Sequence, residues 1–108
     1  VQLIDPSDGR VYKTSVKSIR FDWTTVAEPA GAKRYYEIII QNINDDPAHP
    51  TFPQGVNNLT ASEYRPQISK AFAQSRGLHR WHVRVRFLAN GQEVVGEWSD
   101  WRTFRVDD

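Results

Sequence analysis

Apolar and polar positions alternate strictly along several stretches of this chain. In Ile19-Arg20-Phe21-Asp22-Trp23, residues Ile19, Phe21 and Trp23 share one face while Arg20 and Asp22 share the other. That period of two is the signature of a half-buried strand. Tyr35 to Asn42 repeats the pattern, with Tyr36, Ile38 and Ile40 on the apolar face and Tyr35 and Ile39 on the wetter one. From Arg80 to Phe87 the alternation is clearest. Trp81, Val83, Val85 and Phe87 point one way, and Arg80, His82, Arg84 and Arg86 the other. Phe104 and Val106 mark the inward face of a closing strand. The predicted core is therefore Trp23, Tyr36, Ile38, Ile40, Trp81, Val83, Val85, Phe104 and Val106.

Turn chemistry separates these segments. Asp5-Pro6-Ser7-Asp8-Gly9 follows a short apolar start at Leu3-Ile4, and Glu28-Pro29-Ala30-Gly31-Ala32 breaks the run after Trp23. Both carry the Pro and Gly signals of turns. Asn44 to Pro53, rich in Pro and Asp, reads as a loop or at best a short edge strand. Leu59 to Arg65 reads as a further strand ending at Pro66. Ile68, Ala71, Phe72 and Ser75 lie at helical spacing before Gly77, which predicts a short helix near 68–76. Ala89-Asn90-Gly91-Gln92 is a hairpin turn. About seven strands with turn signals every roughly 8–12 residues predict an all-β, immunoglobulin-like antiparallel β-sandwich. Residues 1–108 read as one domain, and Val1 at the start reads as a piece of something longer.

Charge and cysteine usage narrow the function classes. The net charge is +1, from 14 basic and 13 acidic side chains, which calls for neither nucleic acid nor an anionic membrane as partner. No apolar run approaches a membrane span in length, so membrane insertion is not expected. Without cysteine there is no disulfide frame and no thiolate for catalysis or zinc.

The ordered set of features resembles the fibronectin type III family over essentially the whole chain. The residues that carry it are Pro6-Ser7-Asp8-Gly9, Trp23, Ala30-Gly31-Ala32 leading into Tyr36-Glu37-Ile38-Ile39-Ile40, Trp81-His82-Val83-Arg84-Val85-Arg86, and Phe104-Arg105-Val106. The spacing looks most like the modules of bacterial exported proteins. Gln67 to Leu78 departs from it, being longer than the family's usual connection. Trp98-Ser99-Asp100-Trp101-Arg102 is similar to the tryptophan-serine box of class I cytokine receptors, with Arg102 where that box has serine. The resemblance implies an extracellular, cell-surface or periplasmic location. It also implies a role as spacer or protein-contact module beside neighbouring domains of a parent protein.

The sharpest candidate constellation is an alternation of Arg84, Arg86, Trp98 and Trp101. Guanidinium planes stacked on indole faces gain about 0.5–2 kcal/mol per contact, and arginine stems cover ring surface besides. The structural reading is a ladder stiffening the sandwich edge. The functional one is a contact surface for a protein or glycan ligand through Trp98, Trp101 and Tyr35. A cytokine-receptor-like ectodomain fragment is a third reading.

The remaining motifs are weaker. Residues 79 and 82, both histidine, fall on opposite strand faces, so no metal site is expected. Asn44, Asp45 and Asp46 have the composition of a calcium loop and equally of an Asx turn. Asn58-Leu59-Thr60 fits the N-glycosylation pattern. No nucleophile, base and stabiliser are recognisable together, so neither catalysis nor a cofactor is expected.

Overall fold

The computed structural model describes residues 1–13, 15–16, 18–43, 55–66 and 77–107. The helix expected near 68–76 and the loop from Asn44 to Pro53, with its candidate calcium ligands, lie outside the described residues.

Among those residues the chain is all-β. Its strands are β1 (Leu3–Asp5), β2 (Arg10–Lys13), β3 (Phe21–Trp23), β4 (Lys33–Asn42), β5 (Gly55–Leu59), β6 (Glu63–Tyr64), β7 (Gly77–Ala89), β8 (Gln92–Val95) and β9 (Arg102–Asp107). They form two sheets. The smaller has the order β1-β3-β6. The larger has the order β2-β9-β7-β4-β5, with β8 joined to β7. The two face each other as an immunoglobulin-like sandwich. The pairing is antiparallel except at one edge, where β2 runs parallel to β9 from Arg10↔Phe104 to Lys13↔Asp107. The expected purely antiparallel arrangement thus becomes a mixed one. Asp8 makes this join: its Oδ1 accepts from the Thr103 backbone N–H at 2.9 Å and from the Thr103 hydroxyl at 3.1 Å.

The single strand expected over Leu59–Arg65 is interrupted: Leu59 is the last residue of β5, and Glu63–Tyr64 form β6 in the other sheet. β5 pairs with β4 and β6 with β3. The chain leaves the large sheet after Leu59. Asn58 lies within β5, at the register shift against β4, with a left-handed φ of 65°. Asn is one of the few residues that tolerates that region.

The core forms where the inward faces meet. Every residue of the predicted core is buried, and Leu3, Ile19 and Phe21 join them. Aromatic edges bridge the sheets. Phe21 meets Trp81 at 5.1 Å and 72° and Phe104 at 5.6 Å and 63°, while Trp23 meets Tyr36 at 5.5 Å and 68°. These are edge-to-face arrangements favoured by the ring quadrupoles. His79 is buried on the inner face, its ring parallel to Phe104 at 4.9 Å and its Nδ1 3.0 Å from the Gly77 carbonyl.

β7 is the spine of the large sheet. Along one side it pairs with β4 over ten positions, from Leu88↔Lys33 to His79↔Asn42. Along the other it pairs first with β9, from Gly77 to Trp81, and then with β8, from Arg86 to Ala89. Between β8 and β9 the chain departs from regular strand, and the candidate site lies there.

Candidate functional site: a stacked column on the outer face of the large sheet

The stretch between β8 and β9 has its own period. The Gly96 N–H donates to the Val85 carbonyl at 2.8 Å, the Ser99 N–H donates to the Val83 carbonyl at 2.9 Å, and Arg102 stands opposite Trp81. Three residues on this segment therefore meet two on β7, twice over. Each step inserts one extra residue, as a β-bulge does. Gly96 is the entry point: a Cβ there would lie 3.1 Å from Val85 Cγ1 and 3.2 Å from the Val85 carbonyl oxygen. Ser99 closes the middle step, since its Oγ also accepts from the Val83 N–H at 3.1 Å. Glu97 and Asp100 are exposed. Trp98 and Trp101, one repeat apart, fold over the outer face of β7.

The outward side chains of β7 recur every second residue, about 6.8 Å apart. That is about twice the thickness of a stacked π system, so one indole fits between each successive pair. The two combs interdigitate in the order Arg80, Trp101, His82, Trp98, Arg84. The Arg80 guanidinium carbon lies 4.1 Å from the Trp101 ring centroid. The His82 ring stacks on Trp101 at 3.5 Å and 9°, and on Trp98 at 4.0 Å and 7°. Arg84 closes the column 4.4 Å from Trp98.

Of the residues singled out in the sequence, Arg84, Trp98 and Trp101 are together in this column. Arg86 and Tyr35 stand beside it. Arg86 meets no indole, because β8 presents Val95 opposite it. It lies over the Tyr35 ring at 5.7 Å instead. Its Nη1 donates to Glu93 at 3.0 Å and its Nη2 to Asn58 Oδ1 at 2.6 Å. Asn58, of the glycosylation pattern, is exposed and occupied in this way. Arg80 and His82 are members that the expected alternation of Arg84 with Arg86 did not include. The outward period of β7 contained the signal for both. Ser99 and the three-residue repeat gave none, because a period of three is not a strand pattern.

Glu37 of β4 fixes the column from the other side. Its Oε2 accepts from Arg84 Nε at 2.9 Å, and its Oε1 lies 2.7 Å from Arg86 Nε, a close ion pair without hydrogen-bond alignment. The Glu37 side chain is only 12 % exposed, which sets this network apart from surface pairs that contribute little. Gln41 holds Arg80 in the same manner, accepting from its Nε at 2.8 Å.

His82 is the electrostatic extreme of the site. Burial between two indoles, with the positive charges of Arg80 and Arg84 on either side, lowers its pKa from 6.5 to about 4. The imidazole is therefore neutral near pH 7, and its Nε2 is buried without a hydrogen-bond partner. Each indole has a cation or an imidazole on both faces, and Trp101 keeps 37 % exposure. Among the described residues no group of three or more His, Asp or Glu could hold a metal ion, and no helix is long and apolar enough to cross a membrane.

No protein-family model matches the chain, and no curated protein matches it significantly.

Proposed function

We propose that this chain is a non-catalytic, fibronectin type III-like accessory module of a larger extracellular or cell-surface protein, serving as a spacer or protein-contact domain. The observation that carries this reading is the closed column. Arg80, His82 and Arg84 take up both faces of Trp98 and Trp101, so the aromatic surface is used in joining the segment between β8 and β9 to the outer face of β7. A sugar platform needs an open ring face with polar groups around it. A domain that holds its neighbours apart needs a stiff sheet, and interdigitated side chains tied by Glu37 and Gln41 supply that.

The test is a titration of the isolated domain with soluble polysaccharides, followed by tryptophan fluorescence, with Trp98→Ala and Trp101→Ala as controls. The module reading expects no saturable change. A saturable change that disappears in both variants would overturn it in favour of glycan binding.

A further inference from the structure

Exposed sheet edges are usually blunted by bulges, basic residues or brevity. Most edges here follow that rule. β1 has three residues and a register shift, and β6 has two residues. β2 carries Arg10 and Lys13 on its four residues. β5 is irregular, with a register shift against β4 and the left-handed Asn58. β8 is as short as β2 but has neither its basic residues nor a register shift. Gln92-Glu93-Val94-Val95 runs without Pro, Lys or bulge, pairs with β7 on one side, and has no partner on the other among the described residues.

The groups presented by that edge follow from the hairpin. Asn90 and Gly91 have φ of 52° and 74°, which makes a two-residue type I′ turn. Ala89 and Gln92 then form a hydrogen-bonded pair. Antiparallel pairs alternate, so Phe87 with Val94 is the next bonded pair, and Val85 with Gly96 the next, where the 2.8 Å bond is seen. The N–H and C=O of Glu93 and Val95 must point away from β7.

Three of the seven exposed large apolar side chains among the described residues lie on β8 or beside it on β7: Val94 at 65 %, on the same side of the sheet as Phe87, and Val95 at 44 % and Leu88 at 40 % on the other side. Val94 also borders a hollow of about 350 Å³ with Pro29, Ala32 and Phe87. The acid on the edge, Glu93, is already neutralised by Arg86 at 3.0 Å, so two such edges do not repel.

We propose that β8 pairs antiparallel with β8 of a second copy of this chain, about a two-fold axis at Val94. Glu93 of each copy faces Val95 of the other, and their outward groups exchange four backbone hydrogen bonds. The two Val94 side chains form the close, non-bonded pair at the axis and cover each other's hollow. The contact is isologous and therefore closes as a dimer. A seam this short belongs to the weak, transient class of interfaces. The inference uses no member of the stacked column, so it and the module reading stand or fall separately.

The experiment is sedimentation velocity over a concentration series, combined with amide exchange at low and high concentration, on the wild type, Val94→Lys and Val95→Pro. Val94 is exposed and the Val95 N–H is turned away from β7, so both variants should fold. The expected result is a reversible dimer in which the Glu93 and Val95 amides gain protection as concentration rises. Both variants should weaken it at least tenfold. A monomer up to millimolar concentration overturns the proposal. So does a dimer that leaves those two amides unprotected, or one that both variants tolerate.

Discussion

His82 is a histidine in a position suited to an aromatic ring. It lies parallel to two indoles and between two arginines, and its Nε2 has no partner. Its folded pKa of about 4 lies below the unfolded value of 6.5. Between those pH values the unfolded chain takes up a proton that the folded chain refuses. The stabilising contribution is therefore complete above about pH 6.5 and is lost as pH falls toward about 4, by up to about 3 kcal/mol. Asp8 adds a separate loss at lower pH, because hydrogen bonds from Thr103 hold its carboxyl below the ordinary value of 3.8. His82→Phe keeps a ring in the slot and removes the titration. Urea melts between pH 7 and 4.5 should show the wild type losing stability across that range and His82→Phe staying nearly level. Parallel pH profiles would mean that His82 titrates in an open environment.

The element that matters most is the irregular segment from Gly96 to Trp101. Its three-residue repeat meets the two-residue repeat of β7, and the shared spacing lets indoles enter between β7 side chains. The outward row Arg80, His82, Arg84 and Arg86 was legible in the sequence from alternation alone, as was the presence of two tryptophans nearby. The pairing order was not. It depends on Ser99 holding Val83 and on Gly96 passing close to Val85, and neither small residue advertises such a role. Arg86 illustrates the same limit: it shares the face and the period, but Val95 stands where a third indole would be needed. A double-mutant cycle measures the join directly. Arg84→Ala and Trp98→Ala should each destabilise the domain, and the double variant should lose less than their sum by about 0.5–2 kcal/mol. Glu37 retains Arg86 in every member of the cycle, so the coupling reports on the Arg84–Trp98 contact. Strict additivity would show that the two side chains do not stack in solution.

For the molecule as a whole, period-2 alternation located the core because both sheets bury one face. Trp23, Tyr36, Trp81 and Phe104 could be placed without coordinates. Strands lacking a buried face were not legible. β2 is short and largely exposed, and only its parallel pairing with β9 makes it a strand. The change of sheet falls between Leu59, the last residue of β5, and Glu63, the first of β6, within a segment that read as one strand. The stacked column makes the tryptophan-serine segment part of the cooperative fold, so that the whole outer face opens only when the domain unfolds. Native-state hydrogen exchange of the Ser99 amide, bonded to the Val83 carbonyl at 2.9 Å, tests this most directly. Amides of a cooperative unit share one opening free energy, while loosely attached segments exchange by local opening. Ser99 is expected to exchange with the same opening free energy and denaturant dependence as the amides of Ile38 and Val83. Rapid, denaturant-independent exchange at Ser99, with the core amides still protected, would contradict it.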